Sequence, residues 1–212
     1  MKLDKIFAPC PEMPEVKVLH YSRFPDHRGY FTETFNKNEF KKHVSEIGDW
    51  EIAQANESFS KERVVRGLHF QWNPHMGKLV RTIQGHMVDL FLDIRKGSPT
   101  FGKIAAYAMP SNSVVDYNEW IWVPPGFAHG NFYLQDTTIE YFCSGEYSKG
   151  CESGISPLAK DIDWSLCLPA IHKTFLLIIK DQCFMTDKDR DGSDLEKWSI
   201  SKESSNFIYG DI

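Results

Sequence analysis

From about residue 16 to residue 143, glycine and proline cut the chain into short runs that alternate apolar and polar residues, and few folds accept that pattern. In His86-Met-Val-Asp-Leu-Phe-Leu-Asp-Ile-Arg, the residues Val88, Leu90, Leu92 and Ile94 fall on one face. Asp89 and Asp93 fall on the other, with Phe91 between them. Period two is the mark of a half-buried strand, because successive side chains of an extended backbone point to opposite sides. Ile104, Ala106 and Ala108 repeat the pattern after the turn-like Lys96-Gly-Ser-Pro. Trp120-Ile-Trp-Val then runs into Pro124-Pro-Gly, and Thr138-Ile-Glu-Tyr-Phe-Cys follows the next loop. Strands at this spacing, with no long helical stretches between them, predict an antiparallel sandwich or barrel. One short helix is expected over 38–44, where Phe40 and Val44 share a face. Trp120 and Trp122 read as strand packing.

Composition sets outer limits on function. A chain of 212 residues fills one domain, read here as 1–212 with an extended polar tail from about 182 that is partly disordered. Aromatic residues reach 14%, which suits a β-rich core or a cavity lined by rings. The net charge of −5, with no run of Lys and Arg, argues against a general nucleic-acid surface. No apolar stretch approaches the roughly 20 residues of a membrane helix. Early prolines (Pro9, Pro11, Pro14) break the order of a signal peptide. Five cysteines without a C-x-x-C pair read as free thiols in a cytoplasmic protein.

The chemistry-bearing residues gather around Arg66-Gly-Leu-His-Phe-Gln. A lone histidine on a strand is more often structural than catalytic, but His69 has company. Arg28, Arg66, Lys78 and Arg81 supply cations, His129 sits in a Pro-Gly-rich turn, and Tyr141 and Tyr147 supply phenols. Strict alternation would put Arg66 and His69 on opposite faces, since three residues is an odd spacing. Both reach one cavity only if the strand is irregular at Gly67, where glycine permits a bulge. That irregularity is expected. Asp187-Lys-Asp-Arg-Asp-Gly imitates the start of a calcium loop, but its twelfth position is Trp198 instead of a bidentate Glu, so it reads as a solvated turn.

Seven ordered motifs give the chain a resemblance. They are Phe24-Pro-Asp-His-Arg-Gly-Tyr-Phe-Thr-Glu, Gln54-Ala-Asn-Glu-Ser-Phe-Ser, Val65-Arg-Gly-Leu-His-Phe-Gln, Gly77-Lys-Leu-Val-Arg, Gly97-Ser-Pro-Thr-Phe-Gly, Pro125-Gly-Phe-Ala-His-Gly, and Tyr141 with Tyr147. Together they resemble the dTDP-4-dehydrorhamnose 3,5-epimerases and related sugar-nucleotide 3- or 3,5-epimerases. The resemblance implies a double-stranded β-helix (a cupin-like jelly roll), a homodimer, and neither cofactor nor metal. It makes His69 the base with Asp181 of Lys180-Asp181 as its partner, Tyr141 the acid, and Lys78 the neighbour of the keto oxygen. Tyr147 would stack on the nucleotide base. Arg28, Phe31 and Glu33 match a segment that reaches the nucleotide of the neighbouring subunit, and Gln54, Asn56, Arg66 and His129 complete the substrate-binding set. The implied role is the supply of a deoxysugar for a surface polysaccharide or a secondary metabolite.

The chain departs from that pattern at several positions. Met76 stands for a frequent glutamine, Glu57 for a histidine, Asn131 for a phenylalanine, and Ile178 for a serine ahead of Lys180-Asp181. The number of carbons inverted and the nucleotide base stay open. Two other classes compete. A metal-dependent cupin enzyme would use His69 and His129, but Gln71 stands where a second histidine is wanted, which makes a poor divalent site. A non-catalytic sugar-binding jelly roll would not demand an acid–base set.

Overall fold

A computed structural model describes residues 2–43, 51–111 and 115–212. Among these residues the alternating runs become strands of two antiparallel sheets. One sheet has the order β1 (Leu3–Phe7), β2 (Lys17–Ser22), β10 (Tyr117–Val123), β7 (Lys78–Gln84), β12 (Thr137–Cys143) and β5 (Gln54–Ser60). The second has the order β13 (Glu152–Gly154), β6 (Val65–Gln71), β11 (Phe127–Tyr133), β8 (His86–Asp93) and β9 (Ile104–Pro110). From β5 onward the chain crosses between sheets at almost every turn. That winds a double-stranded β-helix, the jelly roll that the resemblance implies. A small hairpin, β3 (Phe24–Asp26) with β4 (Gly29–Phe31), pairs with neither sheet.

Apolar packing falls into three layers. Val18, Val80, Met87, Phe91, Ile121, Phe127 and Ile139 join the inner faces of the two sheets. The outer face of the six-stranded sheet presents Trp120 and Trp122, both fully buried, to Phe40 of helix α1 (Lys37–His43). The predicted helix is therefore present one residue earlier than expected, and Val44 lies outside the described residues.

The outer face of the five-stranded sheet holds Leu68, Phe70, Val88, Leu90 and Leu92. It is covered by the C-terminal segment, through Phe175 and Ile178 of α2 (Pro169–Lys180), Leu195 and Trp198 of α4 (Leu195–Ile200), and Phe207. Burial of each such side chain stabilises the fold by about 1.5–3 kcal/mol. The expectation of a partly disordered tail is thus corrected: its large apolar residues are needed to cover a sheet face. For the same reason β8 is buried on both faces, not one, and Asp89 and Asp93 have no exposure.

A buried carboxylate needs partners, and the Gly97-Ser-Pro-Thr motif supplies them for Asp93. Arg95 donates to both its oxygens at 3.0 and 2.8 Å, and the Ser98 and Thr100 hydroxyls donate to Oδ2 at 2.6 Å each. This motif holds a turn, away from the cleft described next. All five cysteines are unpaired.

Candidate active site

The irregularity expected at Gly67 is present. Across β11 and β6, His129 pairs with His69 while Asn131 pairs with Arg66, so three steps on one strand match two on the other. Gly67 is the extra residue, at φ +109°, a backbone conformation that a side chain disfavours. A Cβ there would come within 2.5 Å of the Gly130 Cα and 2.8 Å of the His129 carbonyl oxygen. The bulge shifts the alternation by one. Val65, Leu68 and Phe70 then face the C-terminal core, while Arg66 and His69 line the cavity between the sheets.

His69 Nε2 lies 2.6 Å from Oδ1 of Asp189. A carboxylate only accepts, so Nε2 carries a proton, and in the neutral imidazole the lone pair is on Nδ1. The imidazole is 34% exposed and the carboxylate 5%. Asp189 stands on α3 (Asp187–Arg190), where its backbone N–H donates to the Thr186 hydroxyl that caps this short helix. Burial works against ionising Asp189, but His69, Thr186 and the Gly67 backbone N–H outweigh it and hold the carboxyl below its ordinary value.

Asp181, expected as the partner of His69, is elsewhere. It closes α2 with a backbone N–H to the Leu177 carbonyl, and its own carbonyl accepts from Arg63 at 3.3 Å. The Lys-Asp pair that reaches His69 is Lys188-Asp189, inside the stretch read as a solvated turn. The sequence held a signal for it: Thr186 stands three residues ahead of Asp189, the spacing of a helix-capping hydroxyl. Ile178, three ahead of Asp181, lacks any hydroxyl.

Facing His69 from the six-stranded sheet are Lys78 on β7 and Tyr141 on β12. Strand register sets Val80 beside Tyr141 and Lys78 beside Cys143, so all four share the inner face. The Lys78 ammonium has no hydrogen bond or ion pair among the described residues. Burial pulls its pKa below the ordinary lysine value, against the opposing pull of Cys143, Asp89 and Glu152. Burial raises the Tyr141 phenol above its ordinary value, so it keeps its proton.

His69, Lys78 and Tyr141 are shared by two adjoining hollows. The first, of about 260 Å³, is also lined by Arg66, His129, Asn131, Tyr133 and Ser58. His129 is buried there with Nε2 2.7 Å from Asp89 Oδ1. Arg66 is held by the Ser60 hydroxyl at 2.9 Å and the Phe59 carbonyl at 3.3 Å. The second, of about 130 Å³, adds Gln54, Asn56, Met76, Tyr147 and Glu152. Gln54 donates to Asn56 and accepts from the Tyr147 backbone, both at 2.9 Å. The Tyr147 hydroxyl donates to Glu152 at 2.8 Å, and Lys188 binds the same oxygen at 3.0 Å. A larger hollow of about 420 Å³ lies elsewhere, but its Arg95 is already committed to Asp93 and Glu15. The candidate acid, base and cation gather in the smaller cleft.

The chain is similar in sequence and fold to known proteins. The family model for dTDP-4-dehydrorhamnose 3,5-epimerase matches residues 11–197. The chain belongs to that family. The dTDP-4-dehydrorhamnose 3,5-epimerase of Sinorhizobium fredii is 39% identical over 157 residues, 73% of this chain and 77% of its own. The Shigella flexneri enzyme of the same name is 38% identical over 164 residues, 76% and 87% of the two chains. Among solved structures, the dTDP-6-deoxy-D-glucose-3,5-epimerase of Legionella pneumophila, in complex with dTDP-4-keto-L-rhamnose, superposes with a TM-score of 0.77. It is 28% identical, over 94% of this chain and 96% of that one.

As a member of this epimerase family the chain is a nucleotide-sugar epimerase. Eight of the twelve site residues predicted from sequence line the cleft: His69, Lys78, Tyr141, Arg66, His129, Gln54, Asn56 and Tyr147. Arg28 and Phe31 do not. Arg28 is tied to Asp26 at 2.6 Å on the small hairpin, and Phe31 beside it is 68% exposed. Glu33, which accepts from Asn36 at 3.2 Å, is likewise outside both hollows, as is Asp181. Reading from sequence missed Asp189, Asp89, Tyr133 and Glu152. Asp89 was visible as an acid inside an apolar strand, and the others gave no signal beyond their type.

Proposed function

We propose that this chain epimerises C3, alone or followed by C5 in a second cycle, of a nucleotide-linked 4-keto-6-deoxy sugar by proton removal on one ring face and proton return on the other. One observation carries this reading: the base and acid candidates come from opposing sheets, His69 from β6 and Tyr141 from β12, across a single cleft. A ring held between the sheets presents one face to each. His69 Nδ1 takes the proton from C3, which the adjacent ketone makes weakly acidic. Asp189 holds the imidazole in the right tautomer and stabilises the imidazolium formed.

The electron pair left on carbon moves to the C4 oxygen as an enolate. Lys78, the ammonium without a partner, stabilises that charge; such preorganised donors are worth about 3–4 kcal/mol in comparable sites. Tyr141 then delivers its proton to the opposite face of C3. The sum is an isomerisation, and exchange with solvent returns both groups to their starting protonation.

The chain acts as a homodimer in which the β3–β4 hairpin reaches the partner's nucleotide. Supporting this, Phe24, Tyr30 and Phe31 are 49%, 49% and 68% exposed, a large apolar display for three strand residues. Incubation with dTDP-4-keto-6-deoxyglucose in deuterated water, followed by NMR, tests the reading. His69→Ala is expected to lower deuterium entry by about 10²–10⁴-fold, and Tyr141→Phe to keep exchange while losing inverted product. Undiminished exchange in His69→Ala would remove the base assignment.

A further inference from the structure

One corner of the cleft is left unused by the acid–base chemistry. Asn131 stands there on β11, 6% exposed, with Arg66 of β6 on one side and Asp89 of β8 on the other. The Tyr133 hydroxyl donates to its Oδ1 at 2.7 Å. Its Nδ2 makes no hydrogen bond among the described residues, although the side chain lines the 260 Å³ hollow. The amide N–H therefore opens on the cleft, where a ligand acceptor can take it. The amide is held in that orientation. Tyr133 is fully buried and its pKa is pushed up to about 12, chiefly by burial, so its hydroxyl stays a donor.

Charge in this corner narrows the class of acceptor. Asp89 has no exposure, and its Oδ2 has no partner. Arg66 on the other side is already held by Ser60 and Phe59, so a phosphate oxygen beside Asn131 would be repelled by that carboxylate, whereas a neutral hydroxyl meets no such repulsion. The family resemblance has a phenylalanine at this position, which would offer the substrate only an apolar ring.

We propose that Asn131 is a specificity-determining residue whose Nδ2 donates to a hydroxyl oxygen of the sugar ring, so that the cleft selects 4-keto sugars bearing that hydroxyl over their deoxy counterparts. This rests on the epimerase reading above. A site built to hydrogen-bond a hydroxyl discriminates against the analogue lacking it, because the buried donor is then left unpaired. Tyr133 is the positioning residue that fixes the amide.

The test compares kcat/KM for deuterium exchange on dTDP-4-keto-6-deoxy hexoses that differ only in the C2 hydroxyl. The wild-type protein is expected to prefer the hydroxylated member by about tenfold or more. Asn131→Leu should abolish the preference. Asn131→Ala, which lacks the donor and leaves space instead of filling it, should do so too, which separates loss of the contact from loss of packing. Tyr133→Phe should weaken the preference by a smaller factor. Exchange without any such preference, or a preference that survives both Asn131 variants, overturns this proposal alone. So does an Asn131→Leu defect of equal size in binding dTDP itself, since the contact would then be to phosphate. No exchange on any member overturns the epimerase reading, and this proposal with it.

Discussion

The cleft contains two histidine–carboxylate pairs of almost identical geometry and different construction. In one, His69 Nε2 meets Asp189 at 2.6 Å; in the other, His129 Nε2 meets Asp89 at 2.7 Å. The His129 pair joins neighbouring strands of one sheet, and its side chains are 7% and 0% exposed. Strand register alone brings it together. The His69 pair spans 120 residues of chain and joins a bulged strand to a four-residue helix in the C-terminal segment. Its imidazole is 34% exposed. A ring open to the cleft can trade protons with a ligand, and a ring sealed in a sheet can hold a wall in place. Position, more than bond length, separates the two.

The sharpest way to break this comparison is to remove each carboxylate in turn. Asp189→Asn is expected to lower kcat by about 10²-fold or more, because the amide no longer stabilises the imidazolium or fixes the tautomer. Asp181→Asn should change kcat by less than about twofold, as a solvent-side helix end away from the cleft. Steady-state kinetics on both variants decides the matter; a large loss in Asp181→Asn with a small one in Asp189→Asn would reverse the assignment.

Next in size is a stability effect on the other pair. Asp89→Ala leaves a buried imidazole without its partner and should cost about 3–5 kcal/mol in urea unfolding. Asp189→Ala, beside a half-open ring, should cost about 1.5–3 kcal/mol. Equal costs would erase the distinction drawn between the pairs.

The smallest expected effect sharpens the contrast through pH. Burial pulls Lys78 below its ordinary value of 10.5 and raises Tyr141 above 10.0. As pH rises through the lowered Lys78 pKa the ammonium loses its charge, so activity falls on that alkaline limb. Lys78→Arg keeps the charge. In a pH profile of the residual kcat/KM, its alkaline limb should move to higher pH. An unmoved limb would assign it to another group.

Much of this was legible in the sequence, for reasons that differ by residue. Period two in 86–94 gave the strand and its faces correctly, since alternation follows directly from extended backbone. The bulge at Gly67 followed from requiring Arg66 and His69 to share a cavity. Asp181 was misread because Lys180-Asp181 and Lys188-Asp189 are the same dipeptide eight residues apart. Only the path of the chain after α2 separates them, together with the Thr186 hydroxyl that caps α3. The burial of Asp89 on a strand covered on both faces was also out of reach: what covers the outer face comes from residues beyond 169, which no local pattern connects to β8.

The placement of Asp189 has a consequence for the order in which the molecule becomes competent. Every strand of both sheets is complete by Gly154, while the carboxylate that joins His69 is synthesised 35 residues later, in the segment that also seals the Phe70 face. A chain that ended before α2 would leave His69 without its carboxylate partner and Leu90 without its cover. The His69–Asp189 pair and the burial of the outer sheet face are therefore gained together, when the last helices dock.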